Sequence, residues 1–350
     1  MGTFTGNAFR EYIIGGYNIT RFVIQTNMPS AMQVKSEWGS FPDTPRLEFE
    51  VTNQNGQFST LGERSLLKGV VLQNTSVQVI QTQGTSEILE WEGVIENAIE
   101  NHRTQRVKII GISPLSKDLD SPALLTLGGD EAITPARLSE LVFIAFDIPV
   151  DSASYAKADD FLSTLVSAQI DPNLLESRVT LMELQKQLAT AGYGRIYYFD
   201  GKMRYEVFQT LSPTITTNLT DRDLMTHPEV ITEERASKPY KVEHLFGSVE
   251  SAGFVSGQAV QTLDFGPNAT VKLTSESSAI SVADNWEQID KLQLRRVPFA
   301  VKHNLGAILN LDSFITLTWK RGGFIDETLE VVSIDRTDPR YTKLITRTLP

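Results

Sequence analysis

The residues able to do chemistry are few in this chain of 350, and they are scattered. Histidine occurs four times, at His102, His227, His244 and His303. A metal pair on one element needs ligands a few residues apart, and no such spacing and no H-E-x-x-H run occurs. Each histidine therefore reads as an exposed or hydrogen-bonded side chain, His102 in a turn between Asn101 and Arg103. The absence of cysteine removes disulfides, thiolate metal sites, iron–sulfur clusters and a catalytic thiol together. No G-x-S-x-G elbow, Walker loop or G-x-G-x-x-G run is present. Gly192-Tyr193-Gly194 follows a helix instead of opening one, which makes it a helix stop and not a phosphate loop. Hydrolysis would have to rest on carboxylates: Glu90 and Glu92 on one strand face, or Asp335 and Asp338 flanking Arg336. A glycosidase sets two carboxyls at a defined separation across a cleft. The alternation of Glu48 with Glu50, and of Glu90 with Glu92, is instead what the wet side of a sheet looks like. If that side lined a channel, it would present a ring of negative charge. Tyr197, Tyr198, Phe199, Tyr205 and Phe208 read as the core of a hairpin, with a sugar-stacking platform as the alternative. The sequence thus assigns no catalytic, cofactor-binding or metal-ligating residue.

The elements that would position these side chains are clearest between Arg178 and Phe208. Thr180 stands where an N-cap belongs, and Glu183 three residues later completes a capping box. Leu181, Leu184, Leu188 and Ala191 then recur at helical spacing. Gly192 and Gly194 end the helix, glycine taking the left-handed cap geometry at little cost. Two aromatic, alternating runs, Ile196–Phe199 and Met203–Phe208, flank Asp200-Gly201, a strong hairpin signal.

Before this unit the text is β-rich. Tyr12-Ile13-Ile14, a Gly15-Gly16 turn and Arg21–Ile24 form a hairpin pattern. Arg46–Thr52 alternates Leu47, Phe49 and Val51 against Glu48, Glu50 and Thr52, a half-buried antiparallel strand ending in the Asn53–Gly56 turn. Strands over Val77–Gln81, Glu87–Ile95 and Arg106–Ile112 complete a small barrel or sandwich at roughly residues 10 to 115. Thr134-Pro135 starts a helix running to about Phe146, with Leu138, Leu141, Val142 and Ala145 inward. A short helical turn is expected within Asp159–Ala168, burying Phe161, Leu162 and Leu165. After a polar stretch from Asp221, β text returns at Tyr240–Phe246, is weakly patterned over 247–285, and closes with Phe314–Trp319, Glu327–Ile334 and Lys343–Arg347. Ser76–Gly84 can be laid against Ser313–Gly322 with one residue of slip. The two are either copies of one β domain or independent hairpins.

Composition sets the class. With 41% hydrophobic and 21% charged residues the chain is globular, and its formal net charge of −11 argues against a basic nucleic-acid footprint. The longest apolar run, Leu141–Phe146, is too short to span a bilayer, so no stable membrane insertion is expected. The first residues have neither a basic region nor an apolar one, so no secretory signal is expected, and the Asn-x-Ser/Thr triplets at Asn18, Asn74, Asn218 and Asn268 read as chance.

Taken in order, these stretches resemble the phage tail hub and minor tail protein family. The resemblance is carried by Gly16–Thr20, by Pro45–Asn53 with Gly56 and Phe58 in an N-x-x-G-x-F pattern, and by Trp91-Glu92-Gly93-Val94-Ile95. The Thr134-Pro135 helix, the capped helix with Tyr198–Lys202, and Leu311–Ile315 with Val331–Ile334 follow in that family's order. Leu311-Asp312-Ser313-Phe314 departs from the family's G-D-x-V. The resemblance implies an α+β, predominantly β chain with two tube-protein-like antiparallel β-barrels joined by a small α+β middle domain. The barrels would span 1–115 and 226–350, and the middle domain 116–225 with its hairpin at 195–208. It further implies a structural baseplate or tail-tip hub in the virion, assembled in the host cytoplasm. Such a hub is a homotrimeric, pseudo-sixfold ring that joins the hexameric tail tube or distal tail protein to a central spike or fibre. It receives the tape-measure protein and lines the DNA channel, with no sequence-specific nucleic-acid binding, no enzyme activity and no cofactor. The alternatives are a distal tail adaptor or secretion-system hub, a receptor-binding or glycan-cleaving tail protein, and a β-rich binding module of another kind.

Overall fold

The computed structural model describes residues 9–27, 35, 37–39, 46–59, 74–83, 86–113, 119, 122–123, 133–171, 179–199, 201–211, 213–232, 238–291, 295–306, 308–336 and 340–349. The chain is predominantly β and divides into two compact units. Residues 1–32, 43–117 and 335–342 belong to the first, and 33–42, 118–334 and 343–350 to the second.

The first unit is built on one curled, fully antiparallel sheet. Its strands are β1 (Phe9–Ile14), β2 (Tyr17–Asn18), β3 (Val23–Asn27), β4 (Arg46–Thr52), β5 (Ser76–Gln83), β6 (Ser86–Asn101) and β7 (Arg106–Ile112), in the order β2-β1-β5-β6-β7-β4-β3. The period-2 pattern decides its faces. Leu47, Phe49 and Val51 of β4 are buried with Val77, Val79, Trp91, Ile95, Val107 and Ile109 in one apolar cluster.

Two sequence motifs acquire physical reasons here. Asn53 Oδ1 accepts from the Phe58 amide at 2.7 Å, Gly56 takes φ +70°, and Phe58 plugs the core edge-to-face against Phe22 at 5.2 Å. The Trp91-x-Gly93 spacing exists because the indole lies across glycine backbone. A Cβ on Gly93 would stand 2.1 Å from Trp91 Cη2, and one on Gly111 of the neighbouring strand 2.6 Å from the same atom.

In the second unit three helices pack around a hairpin. Helix α1 (Pro135–Ala145) opens as expected, with Thr134 Oγ1 accepting from the Arg137 amide at 3.1 Å. Its buried face is Leu138, Val142 and Phe143, and Ala145 points outward, a shift of the expected stripe. Helix α2 (Ser152–Leu162) begins earlier than the expected turn, capped by Asp151, and buries Tyr155, Ala158 and Leu162 while Leu165 lies exposed beyond its end. A Ser- and Ala-rich first turn gives this helix little apolar signal. Strand β8 (Ala168–Ile170) follows. Helix α3 (Leu181–Ala191) carries the complete capping box, Thr180 Oγ1 accepting from the Glu183 amide at 3.2 Å and Glu183 Oε2 from the Thr180 amide at 3.0 Å.

The helix stop works differently from the sequence expectation. Gly192 keeps φ −95°, and the left-handed residue is Tyr193 at φ +37°. The glycines are required by Tyr205 instead: a Cβ would lie 2.2 Å from its hydroxyl at Gly192 and 2.5 Å from its ring at Gly194. Strands β9 (Gly194–Phe199) and β10 (Lys202–Val207) form the expected hairpin, with Gly201 at φ +75°.

The remaining elements are β11 (Ile215–Thr220), β12 (Ile231–Thr232), β13 (Tyr240–His244), β14 (Gly247–Glu250), β15 (Gln261–Asp264), β16 (Val271–Leu273) and α4 (Glu276–Lys291), then β17 (Arg295–Lys302), β18 (Phe314–Trp319), β19 (Phe324–Asp335) and β20 (Tyr341–Thr348), all in this unit except Asp335, Tyr341 and Thr342. Its large sheet runs β11-β18-β19-β20-β17-β12, with β11 parallel to β18. Helix α4 falls where the sequence is weakly patterned. Its face of Ala279, Val282, Ala283, Trp286 and Ile289 has helical spacing but is carried partly by small residues. Phe314–Trp319 and Ser76–Gln83 each open an antiparallel hairpin within a large sheet.

The glycine–indole contact yields a prediction. Gly111→Ala forces the Trp91 ring out of a closely packed core and is expected to cost about 1–3 kcal/mol, the range for overpacking. Urea unfolding of the full chain measures it, with Gly201→Ala, where a Cβ meets no neighbour, as a control for backbone strain alone.

Candidate functional site

The most densely charged interior of the second unit is assembled from three distant stretches: Lys35, the β9–β10 hairpin, and β19. Glu330 sits on β19 between Leu329 and Val331, in a strand whose next residues are buried on both faces, so its carboxylate cannot reach water. It accepts from Lys35 Nζ at 2.8 Å and from Arg195 Nη2. Arg195, wholly buried on β9, also bonds Glu206 across the hairpin register, through Nε at 2.9 Å and Nη2 at 2.5 Å. Lys35 Nζ completes the group by reaching both Glu206 oxygens at 3.2 and 3.3 Å. Two cations and two anions thus neutralise one another, Lys35, Arg195 and Glu330 out of water and Glu206 half-buried at the edge of the group, the condition under which buried charge is tolerated.

Aromatic and polar groups surround the cluster. The Tyr197 hydroxyl lies 2.9 Å from Glu206 Oε1 and 3.0 Å from Asp312 Oδ1, and Arg204 bonds Asp312 and forms an ion pair with Asp151 at 3.0 Å. The Arg195 guanidinium stacks 4.2 Å over Trp38. Residues 37–39 are fixed by the same machinery. Glu37 pairs with Arg296 and, at 2.8 Å, with Arg347, Trp38 packs edge-to-face on Phe208, and the Gly39 amide donates to Gly194 O at 2.6 Å.

Charge states follow from this geometry. Burial alone would push the Glu206 carboxyl up, but Arg195 and Lys35 outweigh it and hold the group down at about 2. Glu330 is held below the usual carboxylate range by the same two cations against its burial. Burial, with Glu206 and Asp312 beside it, pushes the Tyr197 hydroxyl far up, so it stays a neutral donor. Burial would lower the Arg195 guanidinium, but Glu330 and Glu206 raise it, so it stays charged.

A cleft of about 220 Å³ opens beside the cluster, lined by Ser154, Lys157, Tyr197, Arg204, Glu206 and Asp312. Its two carboxylates share the Tyr197 hydroxyl, but a glycoside-cleaving pair needs one carboxyl with a raised pKa to act as the acid. Here the cations hold Glu206 in the opposite direction. The arrangement ties three distant chain segments together.

The residues singled out from the sequence lie elsewhere. Glu92 is exposed and accepts from Gln78 at 2.9 Å, the Glu90 side chain and Asp338 fall outside the described residues, and Asp335 ends β19 half-buried. His102 is exposed, 4.0 Å from Glu100. His227 stacks on Trp319 at 6.4 Å, and buried His244 accepts from the Phe246 amide. The His303 side chain is outside the described residues. No group of three His, Asp or Glu suited to a metal occurs among the described residues. Of the aromatics, Tyr197 and Tyr205 are buried, Phe199 and Phe208 half-buried, and Tyr198 exposed, which fits hairpin core better than a flat platform. On the first unit's wet face Glu48 pairs with Lys108 at 2.8 Å and Glu50 with Arg106 at 3.1 Å. That face therefore carries mixed charge and not a simple acidic stripe.

Sequence reasoning missed Lys35, Arg195, Glu206 and Glu330 as a group. One signal was available: a glutamate leading directly into Val331-Val332-Ser333-Ile334, a run apolar enough to be buried on both faces, requires a buried cation.

No family model matches the chain, and no curated protein matches it in sequence. Solved structures do. The 43 kDa tail protein of prophage MuSo2 from Shewanella oneidensis matches with a TM-score of 0.58 at 12% identity, over 97% of this chain and 98% of that one. A tail protein from Neisseria meningitidis MC58 matches with a TM-score of 0.58 at 10% identity, over 97% of this chain and 96% of that one. The chain therefore has the fold of these tail proteins from end to end.

The buried cluster makes two predictions. Glu330→Ala leaves Lys35 and Arg195 short of a counter-charge and is expected to destabilise the protein by about 3–5 kcal/mol, measured by denaturant unfolding. Because the folded pKa of Glu206 is lowered, its contribution is complete above the ordinary carboxylate value of 4.5 and is lost as pH falls toward about 2. Glu206→Gln should therefore flatten the loss of stability across that window, as read from thermal midpoints against pH, and an unchanged slope would rule the linkage out.

Proposed function

We propose that this chain is a structural component of a phage tail, acting as the baseplate or tail-tip hub. The observation that carries the reading is the whole-chain correspondence with two tail proteins, each covered over at least 96% of its length. The hub forms a homotrimer in which two tube-like β domains per chain make a pseudo-sixfold ring. The ring joins the hexameric tail tube or distal tail protein to a central spike or fibre, receives the tape-measure protein and surrounds the path of DNA. It is assembled in the host cytoplasm and resides in the virion. Two large, mainly antiparallel sheets in one chain support this reading, one of seven strands and one of six. So does an ionic interior that fixes segments together and is poorly set up for acid–base work. The division into a β domain at 1–115, a middle domain at 116–225 and a second β domain at 226–350 is part of the same proposal.

The first unit's wet face suits a DNA path in a particular way. With Glu48 and Glu50 paired to Lys108 and Arg106, the surface offers phosphate neither a strong attraction nor a simple repulsive ring. Passage through such a channel would be weakly electrostatic.

Electron microscopy with class averaging, on the purified chain at assembly concentrations, tests the ring. The expected particle contains three chains around a central hole with an apparent sixfold outline. Particles of one chain at every concentration would overturn the self-assembling hub. Glycan-binding measurements would then decide for or against a receptor-binding tail protein.

A further inference from the structure

The charged interior of the second unit is satisfied on its acidic side and short of partners on its basic side. Glu330 and Glu206 hold Lys35 and Arg195, and Glu37 holds Arg296 and Arg347. Arg195 spends its Nε and Nη2 on these carboxylates, and its Nη1 has no acceptor. Arg347, on β20, donates to Glu37 through Nη2 at 2.8 Å, and its Nε and Nη1 have no acceptor. Trp38 Nε1 has none either. These donors are out of water: relative exposure is 0% at Arg195, 4% at Arg347 and 5% at Trp38. The three side chains are neighbours. The Arg195 guanidinium stacks on the Trp38 ring at 4.2 Å, and Glu37, adjacent to Trp38 in the chain, is the residue that holds Arg347.

The chemistry of these groups limits what can satisfy them. A guanidinium and an indole N–H donate and never accept, so no rotation among the three side chains lets one serve another. What the site is short of is an acceptor, and a buried donor left without one is costly, more so when it is charged. Charge points the same way. Lys35, Arg195, Arg296 and Arg347 are four cations, and Glu37, Glu206 and Glu330 are three carboxylates. The next carboxylates out, Asp312 and Asp151, are engaged by Arg204. Burial pulls the Arg347 guanidinium below its ordinary value despite Glu37 and Glu330, and the like charge of Arg195 adds to the pull. A water molecule would satisfy donors and leave the surplus positive charge in place. A divalent oxyanion would overshoot it and be repelled by Glu37 and Glu330.

We propose that the unpaired donors of Arg195 and Arg347 share one monovalent, halide-sized anion beside Trp38, and that this ion is a structural ligand of the second unit. Arg195 lies on β9, in the two-stranded hairpin sheet, and Arg347 on β20, in the six-stranded sheet. The anion therefore ties two sheets to each other and to residues 37–39. It also removes the repulsion between two buried guanidiniums, which the three carboxylates offset only in part.

Anion exchange tests this. The full chain, unfolded in urea and refolded in sodium gluconate, would be titrated with sodium chloride at constant ionic strength while thermal midpoints are read. A ligand that binds only the folded state raises the midpoint with the logarithm of its concentration once the site fills. Screening depends on ionic strength and not on which monovalent anion supplies it. The midpoint is expected to stay level at low chloride and then to climb with each further tenfold increase. Arg347→Gln removes the surplus charge and two unpaired donor groups, while Glu37 keeps Arg296, and is expected to abolish the climb. Arg106→Gln, on the first unit's wet face, is expected to keep it. An equal climb in the unaltered chain and in Arg347→Gln would overturn the proposal, and so would equal midpoints in chloride and gluconate. If Arg347→Gln does not fold, crystals of the unaltered chain grown in sodium bromide decide. An anomalous peak in contact with both guanidiniums is expected. Bromide peaks at exposed side chains alone would overturn the proposal and give the donors to water. A peak at the site without any chloride response in solution would make it an adventitious ion only, and the structural role would fall.

Discussion

Three buried charges and one half-buried carboxylate, Glu206, hold the second unit in register. Lys35, Arg195, Glu206 and Glu330 come from three stretches of chain separated by 160 and 124 residues between their nearest members (35 to 195, and 206 to 330), and none of the four is at home in an apolar interior without the others. Desolvation of a lone carboxylate or guanidinium costs several kcal/mol, so an arrangement that separates any member is penalised at once. An apolar cluster would bury as much surface with less insistence on one geometry. The ionic version demands that the hairpin face β19 at Glu330 and that the backbone at Lys35 lie along β19, where its amide donates to Val332 O at 2.9 Å. The neighbouring groups follow from that placement: Trp38 under Arg195, Glu37 between Arg296 and Arg347, Gly39 against Gly194.

The first unit depends on a different physics. Its sheet is held by apolar alternation around Phe49, Val79, Trp91 and Ile109, and its sharpest constraint is steric. The Trp91 indole occupies the space that side chains at Gly93 and Gly111 would fill, which ties two adjacent strands to one ring. Among the described residues its charge lies outside the apolar cluster, and cross-strand pairs such as Glu48 with Lys108 are partly solvated and contribute little to stability. One unit therefore spends charge on specifying its interior, and the other on solvating its surface.

These features are compatible with the structural role proposed for the chain. Tail proteins with 12% and 10% identity share its fold along nearly the whole chain, so the architecture tolerates replacement of most side chains. What persists is the layout of sheets. In the cleft beside Tyr197, Glu206 and Asp312 each keep a cationic partner, Arg195 and Arg204.

The sequence by itself determined whatever depends on neighbours a few residues away. The capping box at Thr180 and Glu183, the Asp200-Gly201 hairpin, the alternation of β4 and the Asn53–Phe58 turn were legible because caps, turns and pleats act over two to five residues. The family-like order of those local signals pointed to the tail-protein fold. Helices α2 and α4 were hard to read because their apolar faces include Ala158, Ala279 and Ala283, whose small side chains give a weak period. Only the tertiary structure decided that Gly192 and Gly194 serve the Tyr205 ring, that Glu330 is buried and not wet, and that β11 joins β18 in parallel. Each of these is a contact between residues remote in the chain. A carboxylate on a strand looks the same in sequence whether water or an arginine waits on its far side, and the folded structure supplies that other side.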